Sequence, residues 1–455
     1  MYELKRAITL TDAIMINLGA IIGAGIFVII GIAIGAAGPA IIISIIISAI
    51  VAIFTGLSFS EIASHVAKEG GTYEYARVAL MPSAGVIAGL AWTFGNIIAI
   101  AAVSLSLGSY INVLTHASIP LPYFAITSIL IFMLINIFGV KNSAKTITGL
   151  VIINIFILIT FVIIGMFYFK PSNFAYVLPY GTSGLLTGAA LIFFAFTGFS
   201  RVTTISDEVV DPEKTIPKAI IISIIISTVL YIAVAIVALG LVPYASLATS
   251  AAPLSTAIAS IHNNILDLII AIGGIVATAG VMLTGILGTS RVFYAMGRDL
   301  ELPKMLSRLD RFSTPINSII ISSLLGIVFI LFVSFGNIVE AANASILVSY
   351  LIINIAAFNL WRNLPKEVQE GAGSAPAPLR RRRYFGAIPV LGVASILLIL
   401  AYIRLYGLAI AFGIIAASSI YYVMRHSLYK EMFSRVSIRI PKRSKVRTFG
   451  KSRSA

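Results

Sequence analysis

The chain has 455 residues, 59% of them hydrophobic and only 11% charged, with a mean hydropathy of +1.03. Soluble domains carry about 25% charged residues, so this composition belongs to a membrane protein. The lack of cysteine removes disulfides, thiolate metal sites and cysteine nucleophiles. The net charge of +15 is concentrated rather than spread: eight basic residues and no acids fall in 434–455, and four more form Arg380–Arg383. Such clusters suit anionic lipid at a cytoplasmic surface rather than nucleic acid. The four histidines lack metal-ligand spacing, and neither a helical HExxH nor a phosphate loop occurs, so neither metal nor cofactor is expected.

Hydrophobic spans are predicted near 12–37, 39–60, 84–112, 121–139, 146–169, 183–205, 217–242, 264–290, 315–334, 337–360, 385–403 and 406–424. The first contains Gly19-Ala20-Ile21-Ile22-Gly23-Ala24-Gly25-Ile26-Phe27 at its centre. Each glycine in a continuous helix costs about 1 kcal/mol relative to Ala. Two readings stand for this stretch. Gly19-x3-Gly23 is a small-residue surface for helix packing, or the helix is interrupted at mid-bilayer, where its freed backbone groups face a cavity or a ligand. The sixth span places Ile192-Phe193-Phe194-Ala195-Phe196-Thr197-Gly198-Phe199 at its centre, a second candidate interruption.

Three charged segments follow spans 2, 6 and 8: Glu69–Arg77, Ser206–Lys218 and Ser290–Pro303. They are long enough for short interfacial helices, although solvated loops are the simpler reading. Asp207, Glu208, Arg201 and Arg298 are candidates for ion pairs among them. With the N-terminus cytoplasmic, only Lys170 and Arg404 of all the Lys and Arg fall in outside loops, as the positive-inside rule requires. Both termini are then cytoplasmic, and spans 1 and 6 run in opposite directions. This topology fits an all-α polytopic protein with twelve transmembrane helices: a 5+5 inverted repeat with broken helices 1 and 6, plus two additional helices. The expected divisions are 1–170 (spans 1–5), 171–361 (spans 6–10), a basic linker 362–384, spans 11–12 in 385–425, and a disordered basic tail 426–455.

Four elements in order resemble the amino acid–polyamine–organocation superfamily. They are Gly23-Ala24-Gly25-Ile26-Phe27, Glu69-Gly70-Gly71-Thr72-Tyr73, Phe193–Phe199 with Glu208-x-x-Asp211-Pro212, and Arg291-x3-Ala295-Met296-x-Arg298-Asp299. The resemblance covers roughly 5–360. It implies a secondary permease of the cytoplasmic membrane that moves amino acids by alternating access, coupled to protons or sodium or working as an exchanger or facilitator. Gly23, Ala24 and Gly25 would admit a substrate carboxylate to free N–H groups. Ile21 and the backbone at Phe194, Ala195 and Thr197 would receive the ammonium, with Phe194 as the gating aromatic. Some family branches carry a lysine in span 5 where this chain has Asn154, which does not titrate. Asn154 is read as a bridge to the first interruption, and Thr278, with Thr284, as a weak candidate for sodium oxygens. No acid is predicted near either interruption, which favours a zwitterion over a polyamine. A membrane-embedded enzyme and a channel are the distant alternatives.

Overall fold

The computed structural model describes residues 6–437, apart from 24, 67, 116–118, 139, 175, 311–312, 333–334 and 364–385. Among these residues the chain is helical, and the one pairing of extended backbone is a parallel bridge between Ile8 and Val209. The first helix, α1 (Leu10–Ile21), is capped by Thr9. The Thr9 side chain accepts from the Asp12 N–H while Asp12 accepts from the Thr9 N–H, a reciprocal capping box. A five-residue π-helical turn, Gly25–Ile29, leads into α2 (Ile30–Ala37). Gly38 and Pro39 then turn the chain into α3 (Ile41–Ala63), and Gly38 has the positive φ of 63° that suits a glycine.

The succeeding elements are α4 (Thr72–Ala79), α5 (Pro82–Thr115), α6 (Leu121–Ile137), α7 (Val140–Met166) and α8 (Gly181–Ile192). A 3₁₀ helix, Phe193–Glu208, continues α8 and is followed by α9 (Pro212–Leu241). Two short helices, α10 (Tyr244–Ala248) and α11 (Pro253–Ala259), precede the 35-residue α12 (Asn264–Arg298). The last are α13 (Ile316–Phe332), α14 (Phe335–Arg362), α15 (Ala387–Leu400) and α16 (Leu405–Ser437). Among the described residues, eight helical stretches are long and apolar enough to cross a membrane, and one of these, Leu10–Ala63, takes in α1 to α3. Three shorter apolar helices, Leu121–Ile137, Ile316–Leu331 and Ala387–Leu400, fall on further predicted spans.

Small and hydroxylic residues draw these helices together, as expected where lipid supplies no hydrophobic drive between them. Ser44 and Ser48 of α3 donate to the carbonyls of Leu185 and Ala189 on α8 at 2.7 and 2.8 Å. Ser58 donates to Asn354 of α14 at 2.8 Å. The bundle has two distinct ends. One, called here the basic end, gathers Ile8, Glu69, Tyr73, Asp207, Glu208 and Arg298. The other gathers Lys170 with Gly240, Tyr180 with Tyr244, and Arg404 with Glu340.

Two expectations change. The helix of the last span does not stop near 424 but runs to Ser437, because the sequence offers no Gly or Pro between Gly413 and Pro441. The first part of the predicted disordered tail is therefore helical. Most of the predicted linker 362–384 and the rest of the tail, 438–455, lie outside the described residues. The charged segments are also not wholly solvated: Glu69, Glu74, Glu208 and Arg291 are buried, whereas Asp211, Glu213, Lys214 and Lys218 are exposed.

Candidate functional site

The first helix is interrupted where the glycines lie. α1 ends at Ile21, Ile22 leaves helical geometry with ψ 86°, and regular winding resumes only after the π turn. A helix that stops this way leaves its last carbonyls without partners. Two side chains from other helices supply them. The Tyr231 hydroxyl of α9 lies 2.6 Å from the Ile21 oxygen, and the Asn154 amide of α7 donates to the Ile22 oxygen at 3.1 Å. Asn154 is thus placed against the interruption. Tyr231 also lies 3.2 Å from the Ala195 oxygen, so one hydroxyl joins the carbonyls of the first predicted span (α1 and α2, helix 1 below) and of the sixth (α8 with its 3₁₀ continuation to Glu208, helix 6 below).

The sixth span is interrupted differently. No unwound gap occurs near Gly198; the winding tightens at Phe193 from α to 3₁₀ and stays so for 16 residues, with Ile205 out of helical geometry. Runs of 3₁₀ longer than three or four residues are uncommon and often mark functional or strained sites. The hydroxyls of Thr197, Thr203, Thr204 and Ser206 each donate to the carbonyl three residues earlier, at 2.7 to 2.9 Å. Tyr350 of α14 donates to the Thr197 carbonyl and meets the Ser200 hydroxyl at 2.8 Å.

The two interruptions touch through backbone. A Cβ on Gly25 would lie 2.3 Å from the Ala195 Cβ and 2.6 Å from its Cα, and one on Gly198 would lie 2.4 Å from the Ala20 carbonyl carbon. Gly23 meets Val281 and the Ala277 carbonyl of α12 in the same way. Interruption and close packing therefore coexist in the same glycines. Ala24 lies outside the described residues. Phe194 is buried beside Ile29, Val281 and Met282, whereas Phe196 packs edge-on to Tyr231 with ring centres 5.3 Å apart. Thr278 donates to the Gly274 and Ile275 carbonyls of its own helix at 2.8 and 2.9 Å, and Thr284 does the same one and a half turns on.

Polar bridges cross the bundle on both sides of this centre. Toward the basic end, Arg298 reaches Glu69 at 2.9 Å and Asp207 at 3.7 Å, and Arg291 reaches Glu208 at 2.8 Å. The N-terminal lead-in adds main-chain bonds from Ala7 and Ile8 to the Glu208 carbonyl, each 2.9 Å. Burial pushes the Glu69 carboxyl well above the usual carboxylate range, against the pull of the Arg291 and Arg298 guanidiniums. Toward the other end, the Tyr110 hydroxyl of α5 donates to the Phe27 carbonyl at 2.6 Å, and the two rings meet edge-on. Beyond them opens a cavity of about 560 Å³ lined by Val113, Ser255, Thr256, Asn264, Asp267 and Ala271.

The description "Amino acid permease" belongs to a family profile that matches residues 12–436. The chain belongs to the amino acid permease family. It is 31% identical over 387 residues to the branched-chain amino acid permease BcaP of Bacillus subtilis (strain 168), covering 80% of this chain and 82% of that protein. It is 30% identical over 383 residues to the methylthioribose transporter of the same organism, covering 80% and 83%. The vacuolar cationic amino acid transporter 4 of Arabidopsis thaliana is 26% identical over 386 residues, covering 79% and 64%. The permease is thus a multi-pass membrane protein, and its relatives are transporters rather than enzymes.

Sequence reasoning overlooked Tyr231, Tyr110 and Tyr350, the three buried phenols that hold this permease's interruptions in place. Each is a lone tyrosine in an apolar span. A phenol buried there needs an acceptor, which is the signal that was available.

Proposed function

We propose that the protein is a secondary transporter of zwitterionic amino acids in the cytoplasmic membrane, with the basic end and both termini cytoplasmic. Substrate binds where helices 1 and 6 are interrupted, and access alternates as the two ends open in turn. The reading is supported above all by Tyr231, whose single hydroxyl spans the carbonyls of Ile21 and Ala195. A carbonyl has two lone pairs, so an ammonium can share or displace that hydrogen bond. The N–H groups that open the second half of helix 1, at Gly23 and Gly25, would take the carboxylate. Phe194 and Thr197 complete the pocket from helix 6. Twelve crossings are compatible with the elements, since Leu10–Ala63 reverses at Gly38–Ala40 and the three shorter apolar helices fall on predicted spans. The 5+5 repeat is proposed on the same paired interruptions.

Asn154 stands against the interruption as a neutral donor, so no proton is carried there, and exchange or facilitated movement follows. Thr278 stays a secondary candidate for an ion, because its hydroxyl oxygen retains lone pairs. A second substrate reading comes from the methylthioribose transporter, which is about as similar to this chain as BcaP. Counterflow in proteoliposomes preloaded with amino acids, polyamines or methylthioribose, with and without proton or sodium gradients, tests these together. Saturable exchange of amino acids is the expected result. Exchange of polyamines or methylthioribose alone would keep the carrier and overturn the substrate; silence from folded protein would overturn the carrier.

A further inference from the structure

Of the two buried arginines among the described residues, Arg201 lies outside the ion-pair network. It sits seven residues past Phe194 in the 3₁₀ helix, with only 4% of its surface exposed. Its guanidinium stacks over the Trp92 ring of α5 at 4.9 Å and donates through one nitrogen to the Asn96 oxygen at 2.7 Å. Nε and Nη1 have no hydrogen-bond partner, and among the described residues no carboxylate lies within ion-pair distance. Arg291, on α12, offers the contrast, because it is equally buried yet faces Glu208. An unpaired buried charge costs several kcal/mol, and ionisable groups inside a membrane protein are rarely kept without a task.

Its position suggests the task. Gly198, three residues before it, packs on helix 1 at the interruption; Thr203 and Thr204, just after it, pack against Gly71 at the basic end. Arg201 therefore lies between the two, on the way from the interruptions to the basic end. It also reaches from helix 6 to α5 and α12, where a Cβ on Gly288 would lie 2.7 Å from its Cδ and Nη1. Opening the basic end between helix 6 and these two helices would uncover the guanidinium.

We propose that Arg201, with Trp92 and Asn96, forms a carboxylate-binding station between the helix interruptions and the basic end, which receives the substrate carboxylate as that end opens. This rests on the transport reading above. The planar fork of a guanidinium matches the two oxygens of a carboxylate, and a carboxylate supplies the counter-charge missing in the closed state. Bringing in that counter-ion would favour opening only when substrate is present.

The test uses the full chain as Trp361→Phe, which leaves Trp92 as the single tryptophan of the two. Its fluorescence is titrated with sodium acetate, with the amino acid found by counterflow, with that amino acid's carboxamide, and with sodium chloride, at matched ionic strength. The expected result is a saturable change with acetate and the amino acid but not the carboxamide, lost in Arg201→Gln and retained in Arg201→Lys. Saturation by chloride alone, no saturation by any probe, or a change that persists in Arg201→Gln overturns the proposal. In transport, Arg201→Gln should raise the half-saturation at the basic end at least tenfold and leave the opposite end within twofold. Equal shifts at both ends would make Arg201 a packing residue and overturn the station. Gly288→Ala, which displaces the Arg201 side chain and presses on the Trp92 ring, should shift the basic-end value in the same direction and guards against misfolding of the glutamine variant. If no amino acid exchanges in the parent protein, the transport reading fails while the acetate titration still decides the station.

Discussion

Helices 1 and 6 are both interrupted, but their backbone groups find partners in different ways. Helix 1 stops outright, and its freed carbonyls at Ile21 and Ile22 are met by Tyr231 and Asn154 from distant helices. Helix 6 winds on past Gly198; it tightens to 3₁₀, kinks at Ile205, and lets its own threonine and serine hydroxyls bond to carbonyls three residues back, while Tyr231 and Tyr350 add bonds to the Ala195 and Thr197 carbonyls. Helix 1 therefore depends on other helices for the carbonyls at its break, whereas helix 6 combines its own hydroxyls with partners from Tyr231, Tyr350 and Asn17. A ligand competing for carbonyls has more to gain at helix 1, where each bond it replaces is a single side-chain contact.

The comparison is broken most severely at the point of contact. Gly25→Val places atoms inside the Ala195 backbone, and overpacking of this kind costs about 1–3 kcal/mol or more. Exchange should vanish and the melting temperature in detergent should fall; an unchanged protein would mean that helices 1 and 6 do not meet here. Tyr231→Phe comes next. It removes the hydroxyl shared by Ile21 and Ala195 and should lower stability by about 1–3 kcal/mol, with weakened substrate affinity. Asn154→Ala should cost about 0.5–1.5 kcal/mol through the Ile22 carbonyl, and leave the dependence on proton and sodium gradients unaltered. Thr197→Val, on helix 6, should change stability by less than about 0.5 kcal/mol, because its hydroxyl bonds only within its own turn. A Thr197 effect as large as that of Tyr231 would erase the distinction.

A pH profile sharpens the account at the basic end. Burial raises the Glu69 carboxyl above its ordinary value of 4.5, so the closed state holds a proton more tightly than any state that exposes the group. The contribution of Glu69 to the closed state is full below 4.5 and is lost as the pH climbs toward its raised value. Exchange limited by opening of this end should rise through that window and then level off. Glu69→Gln should flatten the profile, and an unchanged slope in that variant would assign the pH dependence elsewhere.

The interruption of helix 1 was legible because three glycines within a charge-free span have few other uses. The order of the spans was legible from hydropathy. What escaped was of another kind. The tightening of helix 6 was not legible as such, since Phe193–Phe199 signals an irregularity through Gly198 without saying which winding results. The pairing of Arg291 with Glu208, and of Arg298 with Glu69, joins residues far apart in the chain, so spacing carries no information about it. Burial of these charges was hidden for the same reason: a charged segment looks like a solvated loop until the helices around it are placed.

The central claim is that one amino acid binds both interruptions at once. Hydrogen–deuterium exchange in the peptides covering Gly23–Phe27 and Phe193–Thr197, with and without the exchanged amino acid, tests it most directly. Slowed exchange in both peptides together, at concentrations matching the half-saturation of counterflow, is the predicted result. Intact counterflow with neither peptide protected would contradict it.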